Sequence, residues 1–497
     1  MPWIPSRTRR PCAWLLALAA LPAAGGCGAG GEEAPAGPNV LVFLVDTLRA
    51  DALSCYGCPR NTSPNLDAFA REALLFEEAL APSPYTATSH ASLFTSTWPA
   101  VHGVWNRTLL ESGEELHPAL APAATTLAEV FRAGGWATAC IADGGWISAR
   151  RGLDQGFEHF DSDYRGVRDR FDAALEWLRD RPRDRPFFLF LHTYEVHAPY
   201  LPPEGYENRF AGDYDGPLRQ VLAEARAFVE AGEGREDSLT EVHRKFFRPW
   251  FDRMGPEDVD FYRALYEAEV SLVDEEFARV LGYLRLEGLL EDTIVVVTAD
   301  HGEAFHEHGS FGHRQVWEEQ LRIPCIIRVP GGPRGLRVPG PVSLLDLMPS
   351  LLSACGLPVP EAAEGRVLDL QTGETAAPFD PFVAEANEPE HLLAWREGRR
   401  KALFHLDPAA PSPPRVFDLA ADPGETRDRA AEPEAAAWLR ELSERLPAWM
   451  EAAREHRRRF GLAAEVRGLS DYSAEEIAEL EQLGYVEAGD DAGPRQP

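Results

Sequence analysis

Two aspartates and one histidine directly follow apolar runs that predict buried strands. Asp46 follows the run Asn39–Val45, and Asp300 and His301 come just after the run Thr293–Thr298. Continuous apolar and β-branched runs are typical of parallel strands covered on both faces. Open α/β sheets place their ligands beyond the carboxyl ends of such strands. We therefore expect Asp46, Asp300 and His301 to meet at one edge of a sheet as metal ligands.

A group of hydroxyls lies between these two strands in the sequence, and it begins at Thr86 in Tyr85-Thr86-Ala-Thr-Ser-His90. It precedes an apolar helical stretch, and a hydroxyl near a helix N-terminus is well placed to meet an anionic substrate. Thr86 would complete a site of four oxygen and nitrogen ligands. One divalent ion is expected there, with Zn²⁺ or Mn²⁺ favoured and Ca²⁺, which takes more oxygens, as the third option.

A metal at this position would lower the pKa of the Thr86 hydroxyl and make it a nucleophile at neutral pH. The simpler interpretation is that Thr86 only caps a helix, as threonine often does.

The remaining pattern predicts an α/β fold with a large central mixed sheet and helices on both faces, followed by a small α+β subdomain. The charged segment 203–257 is interpreted as an insertion or lid. Strands are predicted at 137–141 and 187–191, helices at 63–74 and 261–286, a small antiparallel sheet around 392–395 and 402–406, and an amphipathic helix at 433–459.

The N-terminus is interpreted as a targeting segment, because a basic stretch precedes the short apolar run 12–21 and small residues lead to Cys27. That run is too short to span a bilayer comfortably. We expect export to the periplasm or outer surface, with Cys27 lipidated or the protein plainly secreted, and membrane contact only through such an anchor. The predicted divisions are a signal peptide 1–27, a tether 28–38, a catalytic domain 39–340, a C-terminal subdomain 341–460 and a final segment 461–497.

Composition excludes other classes of protein. The net charge of −31 would repel nucleic acid. Five cysteines after Cys27 have no regular spacing, so a disulfide framework is not expected. Cys55-Tyr-Gly-Cys58 is either an oxidised pair or half of a metal site.

Several motifs, in the expected order, resemble the sulfatase family of the alkaline phosphatase superfamily. They are Asn39-Val-Leu-Val-Phe-Leu-Val-Asp46-Thr-Leu-Arg-Ala-Asp51, Asn61-Thr-Ser-Pro-Asn-Leu-Asp67, Ser89-His-Ala-Ser-Leu-Phe-Thr95, Asp300-His-Gly-Glu303, Glu307-His-Gly309, Gly312-His313, Arg322-Ile-Pro324 and Val416-Phe-Asp-Leu-Ala-Ala-Asp-Pro-Gly-Glu425. The resemblance implies an ester hydrolase with an alkaline-phosphatase-like sandwich fold.

Three departures from the family bear on the chemistry. Sulfatases carry a Cys or Ser, converted to formylglycine, in Cys/Ser-x-Pro-x-Arg, where this chain has Thr86-Ala-Thr-Ser-His90, and Thr is not convertible. The Lys-x-His of the family is replaced by Gly144-Gly-Trp-Ile147, and the second member of its Asp-Asp pair is Thr47. These changes favour relatives with a threonine nucleophile, such as phosphoethanolamine transferases and lipoteichoic acid synthases.

The resemblance also implies substrate contacts by histidines. His197 matches a substrate-contacting histidine of the family, and either His197 or His313 would protonate the leaving group. His90 and His102 are expected to bind substrate, although each could be a packed histidine instead. A second metal would need an Asp-x-x-x-His element, to which Glu195-Val-His197 comes nearest.

The sequence thus predicts a metal-dependent, sulfatase-like hydrolase of sulfuric or phosphoric esters that acts on a small molecule or glycan. The alternatives are a phosphoethanolamine- or phosphoglycerol-type transferase, and a non-catalytic sulfatase homologue that binds anionic glycans.

Overall fold

The computed structural model describes residues 37–106, 108–109, 115–231, 241–374, 381–387, 390–407 and 412–465, and these belong to one compact unit. The predicted signal peptide, Cys27, most of the tether and the tail from residue 466 lie outside the described residues. Within the described part, no helix has both the length and the apolar character needed to cross a bilayer.

The strands in the described part of the chain are short, and several of the longer ones are almost wholly buried. They are β1 (Asn39–Val45), β2 (Leu74–Leu80), β3 (Thr108–Leu109), β4 (Glu115–Leu116), β5 (Ala137–Ile141), β6 (His159–Asp161), β7 (Phe187–Thr193), β8 (Thr293–Thr298), β9 (Ala304–Phe305), β10 (Phe311–Gly312), β11 (Arg322–Ile323), β12 (Cys325–Arg328), β13 (Leu336–Ser343), β14 (Phe382–Ala386), β15 (Leu392–Glu397), β16 (Arg400–His405) and β17 (Arg415–Asp418).

The α-helices described include one of 31 residues, which confirms the long helix expected after residue 261. They are α1 (Pro64–Ala70), α2 (Thr86–Thr95), α3 (Pro99–His102), α4 (Leu127–Ala133), α5 (Val167–Asp180), α6 (Leu218–Glu230), α7 (Pro256–Leu286), α8 (Glu318–Leu321), α9 (Leu347–Ala354) and α10 (Pro433–Phe460).

The central sheet has nine strands in the order β11-β2-β12-β8-β1-β7-β5-β6, with β13 beside β2. β1 lies in the middle and is parallel to both β7 and β8, whereas β12 is antiparallel to β8. The sheet is therefore mixed, as predicted. Because β1, β7 and β8 are parallel, the residues that follow their last positions meet at one edge.

Helices cover both faces of this sheet, and its strands are buried accordingly. The long helix α7 contacts both α1 and α5, and α2, α4 and α9 contact one another in a second group. Every residue of α2 is buried, although its sequence is rich in hydroxyls. Such a helix needs partners for its polar groups inside the protein.

A four-stranded antiparallel sheet, β14-β15-β16-β17, forms the C-terminal part. It contacts the loop before α2 and the short helix α3 after it, since Glu385 of β14 donates its backbone N–H to Pro82 O (2.9 Å) and its side chain accepts a hydrogen bond from Ala100 N (3.0 Å). Buried Lys401 of β16 lies 2.9 Å from both Glu318 and Glu425. These contacts fix the second sheet against the first.

One local prediction was wrong in detail, and one predicted domain boundary lies inside a strand. The helix expected to run through Leu74 ends at Ala70, and Leu74–Leu80 is strand β2, because Arg71 and Glu72 turn the chain and the apolar run that follows pairs with β12 and β13. The boundary predicted at residue 340 falls inside β13, so the central sheet continues to Ser343.

Candidate active site

The strand ends bring the predicted metal ligands together. Asp46, Asp300 and His301 are fully buried, and their ligand atoms lie within 4.8 Å of one another. The neighbouring backbone holds Asp300 in place, since its Oδ1 accepts from Thr47 N (3.2 Å) and from His301 N (2.8 Å). The expectation that β1 and β8 deliver these ligands to one edge agrees with this geometry.

Thr86 is the first residue of α2, and its hydroxyl points at the metal-ligand cluster. Its Oγ1 donates to Asp46 Oδ2 (3.1 Å) and lies 3.4 Å from His301 Nε2. The N-cap of α2 is Tyr85, which makes no side-chain cap hydrogen bond, and Ala87 N is bonded to Asn106 Oδ1 (2.9 Å). These contacts speak against the interpretation of Thr86 as a mere helix cap.

The distances among these side chains fit a divalent cation. Ligand atoms each about 2.1 Å from a metal lie roughly 3.0 Å apart at a right angle and 3.4 Å apart at a tetrahedral angle. Besides the two Thr86 distances, His301 Nε2 is 3.4 Å from Asp300 Oδ2. Asp46 Oδ1 and Asp300 Oδ2 are buried and have no hydrogen-bond partner among the described residues. Since a buried carboxylate oxygen without a partner is energetically unfavourable, these two oxygens favour the binding of a cation.

The protonation of the cluster supports the same conclusion. His301 Nδ1 donates to Gly302 O (3.0 Å), so Nε2 keeps the lone pair that a metal needs. Burial, together with the neighbouring Asp300 carboxylate, raises the pKa of Asp46 well above the usual value for an aspartate. Two adjacent buried carboxylates are stable as anions only with a compensating positive charge.

His90 and the unassigned His192 lie next to this cluster. His90 Nδ1 donates to Thr86 O (2.8 Å) and is 3.8 Å from Asp300 Oδ2. His192, at the end of β7, has its Nε2 3.8 Å from Asp46 Oδ2. Burial lowers the pKa of both imidazoles, which makes them neutral. A substrate contact for His90 stays a prediction.

His197 and His313 form the outer part of the site, with ring centroids 5.0 Å apart. His313 also lies 4.5 Å from the His301 ring, and its Nδ1 is 3.3 Å from Glu303 Oε1. Glu303 in turn accepts from the Tyr200 hydroxyl (3.1 Å). Burial and the facing His313 lower the pKa of His197 to about 4. In the sequence Glu303 stands out only as the last residue of Asp300-His-Gly-Glu303, and its contact with His313 is visible only in the folded structure.

His102 is a fully buried histidine with both ring nitrogens engaged. Its Nδ1 accepts from Val104 N (3.0 Å), so Nε2 carries the hydrogen and donates to Ser92 Oγ (2.9 Å). These bonds account for His102 as a packing residue and do not support the predicted substrate contact.

The second metal site at Glu195 and His197, and a metal site at Cys55 and Cys58, find less support in the described residues. No group of three metal-ligating side chains there contains both Glu195 and His197. Burial and Asp143 raise the pKa of Glu195 to about 8. The five cysteines that are described, including Cys55 and Cys58, are free thiols.

A comparison with protein families decides the identity. The Sulfatase family matches residues 38–357, which is more than half of the chain. The chain belongs to the sulfatase family.

This sulfatase is 27% identical to an ulvan-active sulfatase of Formosa agariphila over 445 residues, which cover 84% of this chain and 81% of that protein. It is 24% identical to an N-acetylglucosamine-6-O-sulfatase of Bacteroides thetaiotaomicron over 428 residues, covering 72% of this chain and 75% of that protein. It is also similar to the structure of a phosphonate monoester hydrolase of Agrobacterium radiobacter, with a TM-score of 0.65, 21% identity, and coverage of 87% and 97%.

The predicted alkaline-phosphatase-like fold is confirmed by these likenesses. The family also makes the protein a sulfatase-like ester hydrolase of a metal-dependent family, with the type of ester left open.

The metal site makes a direct prediction. Asp300→Asn removes one anionic ligand, and we expect it to weaken Zn²⁺ or Mn²⁺ binding by at least about 100-fold, measured by titrating metal into the chelator-treated protein. Asp274→Asn is the matched control, because Asp274 is also buried but accepts from Leu66 N (2.7 Å) at the start of α1. Equal metal affinities in the two variants would contradict the assignment.

Proposed function

We propose that this sulfatase hydrolyses sulfuric or phosphoric esters with Thr86 as its nucleophile. The proposal rests on the position of Thr86. This residue is the first of the buried helix α2, and its hydroxyl lies between Asp46 Oδ2 and His301 Nε2. A threonine there cannot become formylglycine, so its own Oγ must attack.

Each residue of the site has its own role in the proposed mechanism. Asp46, Asp300, His301 and Thr86 would hold one divalent ion, Zn²⁺ or Mn²⁺ by their mixed nitrogen and oxygen donors. When bound, that ion lowers the pKa of the hydroxyl and offsets negative charge. Thr86 Oγ attacks sulfur or phosphorus in line, its new bond forms as the ester bond breaks, and the N-terminal end of α2 stabilises the anionic group. Water then resolves the threonyl ester.

His313 is the proposed proton donor to the leaving oxygen, and His197 faces it across the site. Burial lowers the pKa of both rings in the free protein. An anionic ester bound beside them would raise both pKa values again and thus draw in the proton that the leaving group needs. Glu303 orients His313 through the contact with Nδ1.

The substrate is proposed to be a small-molecule or glycan ester. The relatives described above are named for ulvan and for an N-acetylglucosamine 6-O-sulfate, and a fold neighbour for phosphonate monoesters. Export and attachment through Cys27 belong to the same proposal and would bring the enzyme to extracellular substrates. The nucleophilic threonine also favours a second candidate, transfer of the group to a glycan acceptor in place of water.

Removing the nucleophile tests the central step. We expect Thr86→Ala to lower kcat by at least about 1,000-fold, because the displacement loses its attacking oxygen. Turnover is measured on an aryl sulfate, a phosphate monoester, a phosphodiester and a phosphonate monoester. Thr86→Ser should keep part of the activity.

Thr95→Ala is the control on the same helix, since the Thr95 hydroxyl bonds to Ala91 O (2.7 Å) and lies at the far end of α2. Full activity in Thr86→Ala would refute the role of Thr86 as the nucleophile. A wild type that turns over none of the four esters would favour the anionic-glycan-binding alternative.

The proton donor makes a separate prediction. His313→Gln should slow esters with poor, alkyl-type leaving groups by about 100-fold or more, while nitrophenyl esters, which leave without a proton, change little. His405→Gln should alter neither, because His405 lies in the C-terminal sheet, where its Nδ1 is 3.2 Å from Glu390 Oε2. A loss that is equal for both kinds of ester would refute general-acid catalysis by His313.

A further inference from the structure

The segment 241–254 of the predicted insertion packs against the outer part of the site. Its turn Arg248–Arg253 brings the Phe251 ring onto the Phe311 ring, with centroids 4.2 Å apart and 23° between the ring planes. Phe311 is the first residue of β10 and comes two residues before His313. Aromatic pairs of this kind stabilise a contact beyond the burial of their surface. The insertion is therefore held next to the proposed proton donor.

His243 lies in the same segment and has an unused ring nitrogen. Its ring centroid is 5.4 Å from that of Phe251, and its Nδ1 is buried with no hydrogen-bond partner among the described residues. Natural structures leave few buried polar atoms unpaired, so such an atom indicates a bound water or ligand. Burial, together with the nearby His197, Arg248 and Arg314, lowers the pKa of His243 to about 4. His243 thus lies among three other groups that can carry positive charge.

Two of these groups, Arg248 and Arg314, are exposed arginines without an acidic partner. Neither forms an ion pair or a hydrogen bond with another residue that the structure describes. Arg314 directly follows His313, and burial, His301 and Arg314 lower the pKa of His313. Acidic residues outnumber basic ones by 80 to 49 in this chain. Two arginines free of carboxylates beside the site therefore create a local positive field that attracts anions.

We infer that His243, Arg248 and Arg314 bind a second anionic group of the substrate, separate from the ester that is hydrolysed. Guanidinium groups bind carboxylates and tetrahedral oxyanions through parallel N–H donors, and the unpaired His243 Nδ1 adds a further hydrogen-bonding atom. The inference rests on the proposed ester hydrolysis and narrows its substrate. A molecule with a carboxylate or a second sulfate beside the ester, such as a polyanionic glycan, fits this arrangement.

The test uses the full chain loaded with Zn²⁺ and probes that contain no ester. They are alkyl phosphonates of increasing length and their counterparts that end in a carboxylate, so each pair differs by one anionic group. Calorimetry gives the ratio of the two dissociation constants for every length. We expect the best-fitting carboxylate probe to bind at least about tenfold more tightly than its partner, because charge-assisted hydrogen bonds form at the second group.

The variants assign this gain to residues. In Arg248→Gln/Arg314→Gln the ratio should fall to about one, because both guanidinium groups are lost. His243→Phe keeps a ring beside Phe251 and should lower the ratio by about threefold, the effect of one lost hydrogen bond. Probes that end in a sulfonate measure the preference for a sulfate-like group over a carboxylate, and a high ratio with either group supports the inference.

Arg253→Gln is the matched control. Arg253 is another exposed arginine of the same turn, five residues after Arg248 and thus roughly 10 Å further along a 3-10 helix. Its replacement removes the same charge and should leave the ratio at the wild-type value. Since the replaced arginines are exposed and make no described contacts, the Tm of all these arginine variants should equal that of the wild type.

A wild-type ratio near one at every probe length would overturn the inference, as would a ratio that stays high in the double variant or in His243→Phe. A fall in Arg253→Gln as large as in the double variant would also overturn it.

The phosphonate measurement does not depend on turnover. If Thr86→Ala is inactive while the wild-type ratio is one, the proposed function stands and the second anion site falls. If no ester is hydrolysed but the ratio is high and falls in the double variant, the anion site stands and the proposed function falls.

Discussion

Two buried carboxylates lie at one edge of the central sheet. Their mutual repulsion and loss of hydration are unfavourable, and the surrounding structure must compensate for both. Asp46 and Asp300 follow parallel neighbours, β1 and β8, and neither is exposed. Burial in a medium of low polarity disfavours two adjacent negative charges strongly. Two features of the metal-free protein reflect this unfavourable repulsion. The pKa of Asp46 is raised, and one carboxylate oxygen on each residue has no hydrogen-bond partner among the described residues. A divalent cation relieves the repulsion, which ties folding at this edge to metal binding.

The same constraint explains why the surroundings of Thr86 are so thoroughly packed. A nucleophile that shares ligands with a metal must be held within a fraction of an ångström. Helix α2 is buried along its whole length, and the C-terminal sheet bonds to the segments on either side through Glu385. Buried Lys401 joins that sheet to the central one through Glu318 and Glu425. The second sheet therefore contributes rigidity to the site without supplying a ligand.

The meeting of Asp46, Asp300 and His301 at the strand ends was predictable because its sequence signal is local. An apolar run followed by Asp or Asp-His predicts a buried strand and also the polar side chains at its carboxyl end, as for Asp46 and Asp300. By contrast, the hydrogen bonds of His102 to Ser92 and Val104 and the contact of Glu303 with His313 depend on how the side chains pack in the folded protein, so no sequence pattern reveals them. Strand β2 was missed because its first residues continue the helical spacing of α1.

The central step of the proposed mechanism is the formation of a covalent bond to Thr86 Oγ. The direct measurement is rapid acid quenching of the enzyme during turnover of the best ester, followed by mass spectrometry of the peptide that contains Thr86. We expect one sulfo or phospho group on Thr86, which disappears in Thr86→Ala. Turnover with an unmodified Thr86 peptide at every quench time, or with the group on Ser89 or another residue, would contradict it.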